Sequence, residues 1–114
     1  MKVLIVEDND LMRALLRKLL RNVASEIREC RDGVEALRAY TLFEPDWVLM
    51  DIKMRNVDGI AATREIRSAF PRARILIVTD YDDAALCIAA RNAGACGYVL
   101  KENLFEVRRL LSKK

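Results

Sequence analysis

Trp47-Val48-Leu49-Met50-Asp51 decides how this chain folds. Four apolar residues run straight into a carboxylate. A run this short and without polar alternation reads as a strand buried on both faces of a parallel sheet. A strand that closes on Asp sets that carboxylate at the carboxyl edge of the sheet, where open α/β folds bind ligands. The expectation is a chain built to hold Asp51 at that edge.

The same pattern recurs on either side. Lys2-Val3-Leu4-Ile5-Val6 ends in Glu7-Asp8-Asn9-Asp10, Arg74-Ile75-Leu76-Ile77-Val78 closes at Thr79, and Gly97-Tyr98-Val99-Leu100 closes at Lys101. Glu26-Ile27-Arg28-Glu29-Cys30 alternates instead, as a half-exposed edge strand does. Helical segments separate the runs. Leu11, Leu15, Leu16, Leu19 and Val23 sit at helical spacing, with Asn9 or Asp10 as cap. Asp32-Gly33-Val34-Glu35 has capping-box spacing ahead of a helix over 37–43, which Pro45 prevents from continuing. After a polar loop over 53–57, Asp58-Gly59 opens a helix carrying Ile60, Ile66 and Phe70, which Pro71 ends. Asp82 and Asp83 precede an alanine-rich helix through Ala93, with Gly94 placed to end it. Leu104, Val107, Leu110 and Leu111 mark the last helix, whose end Lys113 and Lys114 suit. Strict strand-helix alternation predicts a parallel sheet covered by helices on both faces.

The bulk numbers fit one domain. With 114 residues, 53% apolar and 32% charged, the chain can build a single packed core. The net charge of +3 is spread among interleaved acids and bases, which makes no case for nucleic acid or membrane. Cys30, Cys87 and Cys96 have no metal-ligand spacing and read as small buried thiols of a reducing cytosol. There is no signal-peptide pattern or membrane-length apolar run, so a soluble cytoplasmic protein is expected. The absence of His removes Ser-His and Cys-His nucleophilic pairs and imidazole bases.

In a parallel sheet the strand ends gather on one edge, so Glu7, Asp8, Asp51, Thr79 and Lys101 become neighbours. Clustered carboxylates either raise a pKa or hold a cation. Oxygen ligands without His or thiolate suit Mg²⁺ better than zinc. An Asp carboxylate can act as nucleophile and form an acyl phosphate, whose oxygens the metal, the Thr79 hydroxyl and the Lys101 ammonium would neutralise. Taken singly, Asp8 reads as a helix cap, Thr79 as a turn hydroxyl and Lys101 as a solvated lysine. The joint pattern at four strand ends is what points to a phosphoryl-accepting site.

The sequence resembles the receiver domain of two-component response regulators over essentially its whole length. The resemblance rests on Val6-Glu7-Asp8-Asn9, Leu49-Met50-Asp51-Ile52-Lys53-Met54, Asp58-Gly59, Val78-Thr79 and Gly97-Tyr98-Val99-Leu100-Lys101. It implies a flavodoxin-like, doubly wound, five-stranded parallel sheet in the order 2-1-3-4-5 with five helices, in three layers, as one receiver domain over 1–114. It also implies that Asp51 takes a phosphoryl group from a sensor histidine kinase or histidine phosphotransfer protein. Glu7, Asp8, Asp51 and the Lys53 backbone carbonyl would serve Mg²⁺, Glu7 through a bound water. Thr79 and Lys101 would bind the phosphoryl oxygens. Inward movement of Thr79 would be coupled to rotation of Tyr98, otherwise a plain strand aromatic, and would alter the face of the fourth helix, fifth strand and fifth helix. That face is also the candidate homodimer surface.

Departures from the family pattern bear on the site. Arg55 replaces a usual proline, suggesting a looser loop. Asp80 follows Thr79 where a small residue is usual, and its charge would repel a phosphodonor or narrow its access. Lys53, Asp80 and Tyr81 occupy tuning positions, with Tyr81 expected to shield the phosphoryl group. Tyr98-Val99-Leu100-Lys101-Glu102 looks most like receivers preceding a helix-turn-helix domain, so DNA would be contacted only through an effector domain not in this chain.

Two other readings compete. A degenerate receiver would act only in protein interaction or dimerisation, which Asp80 and Arg55 favour. A flavin- or nucleotide-binding protein would share the layered architecture, but the turn after the first strand has no glycine and no Walker loop is present.

Overall fold

A computed structural model describes residues 1–54 and 56–112. The expectations for Arg55, Lys113 and Lys114 lie outside the described residues. The elements run β1 (Lys2–Val6), α1 (Asp10–Leu19), β2 (Glu26–Cys30), α2 (Ala36–Phe43), β3 (Trp47–Met50), α3 (Gly59–Ala69), β4 (Ile75–Thr79), α4 (Ala84–Ala93), β5 (Gly97–Leu100) and α5 (Phe105–Ser112). A short 3-10 turn, Lys101–Asn103, joins β5 to α5.

The strands form one parallel sheet in the order β2-β1-β3-β4-β5. β1, β3 and β4 are central, and their residues are almost all buried, as continuous apolar runs require. β2 lies on an edge, with only Cys30 fully buried. Successive side chains of each strand feed opposite faces. Leu4, Val6, Val48, Met50, Ile75 and Ile77 meet α2, α3 and α4 on one side. Val3, Ile5, Leu49, Leu76, Val78 and Val99 meet α1 and α5 on the other. This is the three-layer, doubly wound arrangement the sequence predicts.

Caps fix where several helices begin. Asn9 Oδ1 accepts from Met12 N, Asp58 Oδ1 from Ala61 N and Asp83 Oδ1 from Leu86 N. Gly94 ends α4 in the left-handed region at φ 109°. No described helix is long and apolar enough to cross a membrane.

The structure corrects several expectations. The buried stripe of α1 is Arg13, Leu16 and the following Leu20, whereas Leu11 and Leu15 are exposed. Leucines occur on both flanks of this helix, so hydrophobicity alone does not choose the inward face. The second helix starts at Ala36 rather than by a capping box. Asp32 Oδ1 accepts from Val34 N and Glu35 N, and Glu35 makes no return bond. Cys30 is buried as expected, but Cys87 is half-buried and Cys96 exposed, because α4 and the approach to β5 lie near the second edge of the sheet.

Candidate functional site

Register brings the candidate residues together. Val6 pairs with Met50, so Glu7 and Asp51 emerge side by side, with Asp51 N donating to the Val6 carbonyl at 3.0 Å. Thr79 pairs with Leu100, so Lys101 emerges one residue beyond. Glu7 N donates to the Cys30 carbonyl at 3.0 Å and Asn9 N to Glu7 Oε2 at 3.1 Å, which pins the turn after β1. Asp51 Oδ1 accepts from Ile52 N at 2.8 Å. Gly59 roots α3 beneath this point: a Cβ there would stand 1.8 Å from the Asp51 carbonyl oxygen.

Glu7, Asp8 and Asp51 each offer a carboxylate oxygen, all within 4.8 Å of one another. Glu7 and Asp51 are buried and Asp8 is exposed. The Lys101 ammonium lies 2.9 Å from Glu7 Oε1, 3.4 Å from Asp51 Oδ2 and 4.0 Å from Asp80 Oδ2. The contact with Glu7 has ion-pair distance without hydrogen-bond alignment, so Glu7 Oε1 is buried without an aligned donor.

Burial pushes the Glu7 carboxyl up to about 7; contact with Lys101 opposes this, and the Asp51 charge adds to it. Burial also raises Asp51, against the pull of Lys101. For Lys101, burial disfavours the charge, but contact with Glu7 and the fields of Asp51, Glu7 and Asp80 outweigh it and hold its pKa above the ordinary value. Among the described residues, Lys101 is the one cation paired with Glu7 and Asp51, which leaves the three crowded carboxylates short of positive charge. Three carboxylate oxygens within 4.8 Å of one another, without His or thiolate, fit a small divalent cation such as Mg²⁺.

Glu7, Asp8, Asp51, Lys53, Asp80, Tyr81 and Lys101 line an open cleft of about 330 Å³. The Lys53 ammonium lies over the Tyr81 ring, 5.4 Å from its centroid. Thr79 is fully buried and does not line the cleft; its Oγ1 accepts from Tyr81 N at 3.3 Å. Tyr98 stands outside, on a neighbouring groove of about 530 Å³ shared by α4, β5 and α5, and its hydroxyl donates to the Tyr81 carbonyl.

Sequence reasoning missed Met12 in the cleft wall and Arg13 behind it. Arg13 is spaced three and seven residues before Leu16 and Leu20, which places it on their stripe. Its charge hid it among the surface arginines of α1.

Sheet order and a carboxylate cluster at the carboxyl edge define the class: a doubly wound α/β domain with an acidic cleft. The model of the response regulator receiver domain family matches residues 3–113, and the chain belongs to that family. It is 40% identical over 100 residues to the chemotaxis protein CheY of Halobacterium salinarum, covering 88% of this chain and 83% of that protein. It is 39% identical over 103 residues to the transcriptional regulatory protein LnrK of Bacillus subtilis, covering 89% of this chain and 47% of that one. The chain thus spans about half the length of a transcription regulator it matches. A solved two-component response regulator of the LuxR family from Aurantimonas sp. superposes with a TM-score of 0.86 at 34% identity, covering 97% of this chain and 84% of that one.

Proposed function

We propose that this chain is a single working receiver unit in which Asp51 accepts a phosphoryl group from a histidine kinase or phosphotransfer protein. The observation that carries the reading is the Lys101 ammonium seated between Glu7 and Asp51, within a cluster of three carboxylates. An Asp51 carboxylate oxygen attacks phosphorus, the bond from phosphorus to the donor nitrogen breaks, and the electron pair leaves with that nitrogen. Asp8, Asp51 and the Lys53 carbonyl, with Glu7 through a bound water, would hold Mg²⁺, which would supply positive charge to the phosphoryl oxygens. Lys101 leaves its carboxylate partners for one phosphoryl oxygen, and the Thr79 hydroxyl, whose oxygen accepts from Tyr81 N, donates its hydrogen to another. Tyr98 then turns, and the α4-β5-α5 face carries the signal to an output or a second copy. DNA would be reached only through an effector domain outside this chain.

The test is incubation with Mg²⁺ and acetyl phosphate, read by intact mass, with Asp51→Asn as control. A Mg²⁺-dependent phosphate adduct, lost in the variant, is expected. No adduct, together with no binding of beryllofluoride, would favour the degenerate interaction module, a reading that Asp80 beside Lys101 keeps specific. Tyr81 is proposed to screen the acyl phosphate from water, so Tyr81→Ala should shorten its lifetime. Equal lifetimes would remove that role.

A further inference from the structure

We infer that Arg13 is the positioning residue that aims the Glu7-Asp8 turn at the cation, an inference that rests on the Mg²⁺ reading above. Arg13 sits in the first turns of α1 and is only 7% exposed. Its Nη1 donates to the backbone carbonyl of Glu7 at 2.8 Å, a buried charge-assisted bond. That carbonyl belongs to the peptide joining Glu7 to Asp8, so the bond fixes the plane from which the Asp8 side chain leaves. The other guanidinium nitrogens are held in turn. Nε donates to Glu29 Oε1 on β2 at 3.0 Å, and Nη2 pairs with Asp10. A planar guanidinium can satisfy all of these acceptors at once, whereas an ammonium cannot keep the same fork.

The turn is therefore gripped through the Glu7 N–H by Cys30, through Glu7 Oε2 by Asn9 N, and through the Glu7 carbonyl by Arg13. The first two grips leave the Glu7-Asp8 peptide free to tilt, and Arg13 removes that freedom. The simpler alternative is that Arg13 only clamps α1 to β2. Arg17 does that too, reaching Glu29 Oε2 at 2.7 Å without touching Glu7, and so supplies an internal control.

The test is calorimetric titration of the full chain with MgCl₂ for wild type, Arg13→Gln, Arg13→Lys and Arg17→Gln. Acetyl phosphate time courses are run in parallel over a range of Mg²⁺. Arg13→Gln should lose about tenfold or more in Mg²⁺ affinity, the usual cost of removing a group that orients a ligand. Arg13→Lys should fall between, and Arg17→Gln should match wild type. The phosphorylation rate of Arg13→Gln should recover to the wild-type plateau at high Mg²⁺. A cooperatively folded Arg13→Gln with unchanged Mg²⁺ affinity would overturn the inference, as would a plateau that stays low at saturating Mg²⁺. If Arg13→Gln fails to fold, the same two criteria apply to Arg13→Lys. A wild type that binds no Mg²⁺ would overturn the underlying reading of the cleft, and the inference with it.

Discussion

Tyr98 donates its hydroxyl hydrogen to the Tyr81 carbonyl at 2.5 Å, which ties β5 to the loop after β4. Tyr81 N in turn donates to Thr79 Oγ1 at 3.3 Å. Tyr98 and Thr79 are therefore linked through one residue, the route by which the proposed switch would run. Tyr98→Phe keeps the ring and removes the bond, worth about 1 kcal/mol net. If this bond holds the present arrangement, beryllofluoride should bind the variant roughly fivefold more tightly, since each ~1.4 kcal/mol is tenfold. Unchanged affinity would mean that the bond is equally strong in both arrangements.

Glu7 gives the fold a pH dependence of its own. Its carboxyl ionises near 4.5 when unfolded and about 7 when buried, so the folded chain holds the proton more tightly. Stability is fully present below the unfolded value and is lost as pH rises through about 7. Without divalent ions, Tm should fall between pH 5 and about 7.5, and Glu7→Gln should flatten that slope. Mg²⁺ needs the ionised carboxylates, so its stabilising effect should grow over the same interval. Scanning calorimetry with and without MgCl₂ reads both trends, and a flat wild-type profile would contradict the first.

Asp80 is exposed and reaches Lys101 only at 4.0 Å, so its hold on the ammonium is weak, at most about 1 kcal/mol. Asp80→Asn should nonetheless speed phosphorylation by an anionic small donor, by up to about fivefold. The gain should shrink in 1 M salt, where screening acts within about 3 Å. A gain that survives high salt would point to sterics instead.

Gly59→Ala should be among the costliest substitutions in the chain. The added Cβ would meet the Asp51 carbonyl oxygen at 1.8 Å, and backbone rather than a flexible side chain would have to give way. A loss of about 3 kcal/mol is expected in urea melts. Mg²⁺ binding should weaken with it, because the displaced carbonyl belongs to Asp51, the proposed phosphoacceptor. A small loss would mean that α3 can slide away from the sheet.

The sheet and its edge were legible because buried parallel strands write themselves as apolar runs and the acids at their ends break those runs. Glu7, Asp51 and Lys101 could be read on that basis alone. The face of α1 could not: Leu11 and Leu15 look as inward as Leu16, and only packing against Val3 and Ile5 chooses. Arg13 escaped for the opposite reason, since a guanidinium becomes a core residue only when backbone carbonyls and carboxylates converge on it. The depth of Thr79 beneath the cleft was equally silent, because strand position fixes the edge a residue reaches but not its distance from solvent.

The ammonium that bridges Glu7 and Asp51 joins the first strand to the last across fifty residues of chain on its shorter arm. The first half of the chain carries all three acids of the cluster, and the second half brings the ammonium. A fragment lacking β5 keeps the acids and loses their counter-charge; one lacking β1 keeps the lysine and loses most of the cluster. The acids thus stand without their counter-charge until the last strand is in place, and the end of the chain is what neutralises its beginning.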